Sequence, residues 1–215
     1  MEKKELRFNF EESQAEGLEF QILLMVHLLA NENLAYRGTL KEINDALGYN
    51  GRDTRRNRRI KEAINKLEEK GLIKTIYDGS GRGQIITLTL SKRAGQFEII
   101  RVQTKWIKQI KEILSKEGHV SVNWITVLRV LLVVIYYAVE RGYAFAPEPI
   151  PYSMSHEIFT NSIIGNHLNI SASTVSKCMR VIREADIIKT FRVFDDRIED
   201  KWICLGTKVV SIKHY

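Results

Sequence analysis

Residues 169–182 read Asn169-Ile170-Ser171-Ala172-Ser173-Thr174-Val175-Ser176-Lys177-Cys178-Met179-Arg180-Val181-Ile182. Ser171 is placed to cap a helix, because its side-chain oxygen can accept an orphan N–H of the first turn. Beyond it Val175, Cys178, Met179 and Ile182 recur at helical spacing and form one apolar face. Ser173, Lys177 and Arg180 fall on the opposite face, with Thr174 and Ser176 on its flanks. Just upstream, Thr160 or Asn161 can cap a shorter helix that carries Ile163, Ile164 and Leu168. Two helices joined by a tight turn are expected, the second keeping a polar side outward.

Residues 123–141 precede this pair as a long apolar segment, read as an opening helix. Its greasiest run, 130–139, falls well short of the roughly 20 residues that cross a bilayer. Pro147, Pro149 and Pro151, the only prolines of the chain, forbid helix between the two and mark a long loop. After the pair, Ile187-Ile188-Lys189-Thr190 opens a hairpin whose tip is Asp195-Asp196-Arg197.

The same order of elements stands earlier in the chain, where Leu72-Ile73-Lys74-Thr75 nearly repeats the words of 187–190. Leu18, Ile22, Leu23, Val26, Leu29 and Ala30 predict an opening helix with one buried stripe, ending near Asn31. Thr39 caps a short helix over 40–47 with Leu40, Ile43 and Leu47 facing one way, and Gly48 closes it. A third helix over 53–70 sets Ile60, Ala63, Ile64 and Leu67 inward and ends at Gly71. Residues 72–77 and 84–90 then alternate as a half-buried hairpin around Asp78-Gly79-Ser80-Gly81-Arg82-Gly83.

The expected fold class is mainly α with small β-hairpins, that is α+β, with two like modules in tandem. Boundaries are read at 1–92 for the N-terminal module, 93–120 for a linker strand and amphipathic helix, and 121–215 for the C-terminal module. The linker helix presents Trp106, Ile107, Ile110, Ile113 and Leu114 on one side and has no obvious partner in either module. It is expected to pack between the modules or against a second copy.

Helix, helix, turn, helix and hairpin is the order of the winged helix-turn-helix superfamily, which the chain resembles over most of its length. Residues 169–177 resemble the turn and recognition-helix start of many bacterial regulators. The architecture is similar to that of plasmid and phage replication initiators and of transcription regulators of mobile elements. That resemblance implies sequence-specific binding of double-stranded DNA in the cytoplasm, at the nucleoid, through two recognition helices. Two major-groove contacts one helical turn apart would span roughly 20 base pairs. The alternative is a resemblance to protein-binding tandem winged helices such as condensin accessory subunits, without direct base readout. A homodimer through the linker helix or the apolar helix 123–141 is a further expectation.

Charge favours the nucleic-acid alternative. The 215 residues carry a formal net charge of +7, a field that draws in polyanions. Arg52, Arg55, Arg56, Arg58, Arg59 and Lys61 crowd the start of the third helix, interrupted only by Asp53 among charged residues. Arginines there repel one another and oppose the helix dipole, a strain that an anionic partner relieves. Arg55 and Arg58 project outward, Arg59 lies on the flank, and Arg56 falls nearer the buried side, but so early in the helix that it is placed to overhang the core and reach backbone phosphate. The residues expected to meet DNA are therefore Arg52, Arg55, Arg56, Arg58 and Arg59, Arg82 at the tip of the first hairpin, and Ser171, Ser173, Thr174, Ser176, Lys177 and Arg180. The second hairpin tip is more acidic and a poorer candidate.

No catalytic residue, metal or cofactor is expected. The Gly79–Gly83 loop runs into a strand, not into the helix N-terminus that a nucleotide loop requires. His27, His119, His156, His167 and His214 are scattered without ligand spacing, and His27 is expected to be partly packed. Cys178 and Cys204 have apolar neighbours and read as buried free thiols, as suits a reducing cytosol. The opening stretch MEKKELRFNFEE lacks the apolar run of a signal peptide. A nuclease would need a carboxylate cluster that no spacing reveals.

Overall fold

The computed structural model describes residues 5–49, 54–91, 99–116, 122–140, 161–195 and 198–205. The protein is a mixed α and β chain with small antiparallel sheets, divided into two compact units: Ala15–Phe97, and Met1–Gln14 together with Glu98–Tyr215.

In the unit 15–97, α1 (Gly17–Leu29) is followed by strand β2 (Ala35–Thr39), α2 (Leu40–Ala46), α3 (Thr54–Glu69), β3 (Ile73–Asp78) and β4 (Ile85–Leu90). The strands pair in the order β2-β4-β3, with Tyr36 opposite Leu88 and Tyr77 opposite Ile86. Phe20, Ile22, Leu23, Val26, Ile43, Ile60, Ile64, Leu67 and Leu88 are wholly buried. Burying each side chain of this size contributes about 2 kcal/mol.

Helix α2 begins with a reciprocal cap. The Thr39 N–H donates to Glu42 Oε2 at 2.6 Å, and Thr39 Oγ1 accepts from the Glu42 N–H at 3.3 Å. These bonds, the backbone one first, hold the Glu42 carboxyl below its usual pKa. Gly48 and Gly71 stand at φ +78° and +67°, the left-handed conformation that lets the chain turn away after α2 and α3.

Two expectations are corrected here. Helix α1 does not bury one stripe: residues 22–27 are all buried, His27 among them, while Leu29 is 53% exposed. Strand β2 has no counterpart among the expected elements: Ala35-Tyr36-Arg37-Gly38-Thr39 lacks apolar alternation, and its pairing with β4 makes it a strand.

The other unit begins with β1 (Glu5–Asn9), which pairs antiparallel with β5 (Ile99–Gln103). Leu6, Phe8, Ile100 and Val102 are buried by the alternation of that pair. A 3-10 turn (Phe10–Gln14) follows β1, and Glu12 Oε2 accepts the Asn9 N–H at 2.8 Å. The later elements are α4 (Thr104–Ser115), α5 (Trp124–Glu140), α6 (Asn161–Leu168), α7 (Ala172–Glu184), β6 (Ile188–Asp195) and β7 (Ile198–Leu205).

Residues 5–14 therefore belong with the chain after 98, where the sequence boundary had placed them in the N-terminal module. Nor is α4 an unpartnered linker. Its Trp106, Ile107 and Ile110 are buried, and it packs on β5, α5 and α7. Helix α5 is the centre of this unit, with Val127 through Ile135 all buried and with α4, α6, α7 and the 3-10 turn against it.

Arg129 is the charged residue inside the buried run of α5, at 6% exposure. Its Nε donates to the Ser13 carbonyl at 2.9 Å and its Nη2 to the Leu168 carbonyl at 3.4 Å. Phe10 stacks between Tyr136 and His167, at centroid distances of 3.5 and 4.4 Å. The N-terminal turn is thus fastened to α5 and α6 by one guanidinium and one aromatic stack.

Burial, and secondarily the Arg129 charge, hold the His167 pKa below its ordinary value. The unfolded chain then binds a proton that the folded chain refuses. Stability is complete above the unfolded histidine pKa of about 6.5 and falls as pH drops below it toward the folded value. Melting temperature is expected to decline between pH 7.5 and 5.5, and a His167→Gln variant should show a flatter decline. Equal slopes in the two proteins would remove His167 as the cause.

Candidate nucleic-acid interface

Two helices carry the expected binding residues, one in each unit. In α7, Ser171 is the N-cap, its Oγ accepting the Thr174 N–H at 3.1 Å and lying 2.9 and 2.8 Å from the hydroxyls of Ser173 and Thr174. Val175, Cys178, Met179, Val181 and Ile182 are buried and fix the helix on its unit. Ser171, Ser173, Ser176, Lys177 and Arg180 are exposed, and Thr174 is half-buried. Arg180 is paired with Glu184 at 2.8 Å along the same surface. Cys178 is a free thiol whose pKa burial pushes up to about 12, so it is inert as a nucleophile. The side chain of Cys204 lies outside the described residues.

The turn before α7 is tight for a specific reason. Asn169 has φ +55°, and the Ile170 N–H donates to the Gly165 carbonyl at 2.9 Å. A Cβ on Gly165 would meet the Ile170 carbonyl oxygen at 2.6 Å, a backbone atom that cannot swing away. Gly165→Ala is expected to destabilise the protein by about 1–3 kcal/mol and to loosen the α6–α7 angle. Urea unfolding checks this, and an unchanged midpoint would show that the turn relaxes freely.

In α3 the first turn holds no acidic residue. Arg55, Arg58 and Arg59 are exposed, whereas Ile60, Ala63, Ile64 and Leu67 are buried, as the helical period required. Arg58 is paired with Glu62 at 2.8 Å, but its side chain is 83% exposed, so the pair contributes little and yields readily to another anion. Arg56 is half-buried, its guanidinium 4.5 Å from the centroid of the Tyr49 ring. Arg52 and Asp53 lie outside the described residues. At the β3–β4 hairpin, Gly79 and Gly81 take φ +79° and +70°, and of Arg82 only the backbone is described, in the short 3-10 turn Gly81–Gly83. Asp196 and Arg197 of the other hairpin tip, Thr160 and the three prolines fall outside the described residues.

Sequence reasoning missed the residues that support α3. Asn44 of α2 is 3% exposed and donates through Nδ2 to Asn57 Oδ1 at 2.8 Å, tying α2 to α3. Tyr49 donates to Gln21 Oε1 at 3.0 Å, tying the chain after α2 to α1. Neither contact has a sequence period; only the folded proximity of three segments reveals it.

Among the described residues no group of three His, Cys, Asp or Glu side chains could hold a metal ion, and no helix is long and apolar enough to cross a membrane. The chain matches no protein-family model and no curated protein.

Proposed function

We propose that the protein binds double-stranded DNA through two winged-helix modules, with α3 and α7 as recognition helices, and acts as a replication initiator or transcription regulator of a plasmid or phage. The reading is supported by the order helix, strand, helix, helix, strand, strand in the unit 15–97 and by its three-stranded sheet. It is supported again by α5, α6, α7 and the β6–β7 hairpin.

The observation that carries it is the exposure of Arg55, Arg58 and Arg59 at the start of α3, a helix whose first turn contains no acidic residue. A helix held by its apolar face and offering arginines outward suits contact with phosphates and with the edges of guanine in the major groove. In α7 the same position is taken by short hydroxyl side chains, Lys177 and Arg180, so the two helices read unlike half-sites.

Fluorescence anisotropy with a mixed-sequence duplex at 50 and 200 mM salt tests the proposal. Five or six phosphate contacts predict an affinity falling by roughly 10³ across that range. Binding indifferent to salt, or none at 50 mM, would set DNA aside in favour of a protein partner.

A further inference from the structure

Beside α3 lies an open groove of about 850 Å³, lined by Gln21 and neighbours at the start of α1, by Tyr49, and by Arg55, Arg56, Arg59 and Lys66. Glu16, Glu19 and Glu62 line it as well. Two of those carboxylates are engaged by cations from outside the lining: Glu19 by Lys70 at 2.6 Å and Glu62 by Arg58 at 2.8 Å. Among the described lining residues four cations, Arg55, Arg56, Arg59 and Lys66, stand with three carboxylates, two of which have partners outside the lining.

Arg56 is held against an aromatic ring. Its guanidinium stacks on Tyr49, and Tyr49 is itself anchored to α1 through Gln21. A stacked guanidinium has less rotamer freedom to lose when it binds, and its planar fork fits two oxygens of one phosphate. The helical wheel sets Arg56 nearer the buried side of α3, overhanging the core, and the ring of Tyr49 gives it a platform at the groove.

We propose that this groove seats a backbone phosphate of duplex DNA, with Arg56 as its donor and Tyr49 and Gln21 as positioning residues. The inference rests on the DNA-binding reading and adds to it a contact that fixes register without reading sequence. Arg55 and Arg59 supply long-range attraction at the same mouth, and Lys66 does so about two turns further along α3.

Duplex affinity and its salt slope are measured for the full chain and for Arg56→Gln, Arg56→Lys, Tyr49→Ala and Tyr49→Phe, with Arg58→Gln and Lys177→Gln as references. Arg56→Gln is expected to weaken binding about tenfold and to lower the salt slope by about 0.9, the value of one phosphate contact. Arg56→Lys keeps the charge and loses the fork, so it should retain the slope but bind less tightly. Tyr49→Ala should weaken binding about threefold, as a lost platform implies, and Tyr49→Phe should recover most of that loss because the ring remains. Should Tyr49→Ala melt early, the two Arg56 variants alone decide the matter. An Arg56→Gln protein with wild-type affinity and slope, while Arg58→Gln binds weakly, would overturn the groove and leave the DNA reading standing. Failure of the unaltered chain to bind any duplex would overturn both.

Discussion

Replacing Arg55, Arg58 and Arg59 together by glutamine is expected to weaken duplex binding by roughly a thousandfold near 0.1 M salt, at about 1.4 kcal/mol for each charge-assisted contact. The salt slope should fall by about 2.7 in the same experiment, since each phosphate contact on B-DNA accounts for about 0.9. All three side chains are exposed, so no core packing is lost with them. The fold should stay intact or gain slightly, because three like charges leave the positive end of the α3 dipole. Anisotropy titrations together with a thermal melt separate the two effects. A variant that binds as tightly as the parent at every salt concentration would show that α3 faces no polyanion.

Replacing Arg129 by methionine is expected to be the most damaging single change to stability, at about 3 kcal/mol or more. Methionine keeps the unbranched stem but ends where the guanidinium begins, so two carbonyls, Ser13 and Leu168, lose a charged donor at a buried position. The loss should concentrate in the N-terminal turn and in β1, whose amides should exchange faster than those of α7. A second readout follows from His167, whose pKa is held down by burial first and by Arg129 next. Without the guanidinium that pKa rises toward its ordinary value, and the acid sensitivity of the melting temperature diminishes. Urea unfolding of both proteins at two pH values measures all of this. A midpoint within experimental scatter of the parent would mean that the two carbonyls are satisfied by other groups.

Much of the local structure was legible before any coordinates. The helical period of Ile60, Ala63, Ile64 and Leu67, and that of Val175, Cys178, Met179 and Ile182, identified the buried faces of α3 and α7. Caps at Thr39 and Ser171 marked helix starts because a single side-chain oxygen and a nearby N–H decide them. What stayed hidden depends on partners distant in the chain. Residues 5–9 pair with 99–103; Leu6 and Phe8 alternate with polar neighbours as a strand does, but nothing local names a partner that follows an entire intervening unit. Strand β2 was missed for the same reason, since β4 rather than its own residues makes it a strand. Helix α4 is expected from sequence to pack between the modules or against a second copy, because its apolar face matches neither repeat, yet it packs on α5 and α7 within its own unit. At the candidate site, the outward arginines followed from periodicity, whereas the platform of Tyr49 and Gln21 came from three segments meeting.

The most direct single measurement is a map of backbone amide shifts as a short duplex is titrated into the protein. Binding by the two proposed recognition helices predicts that the largest shifts cluster in residues 54–62 of α3 and 171–180 of α7, and that they reverse when salt is raised. Shifts absent from both stretches, with duplex bound elsewhere on the chain or not at all, would contradict it.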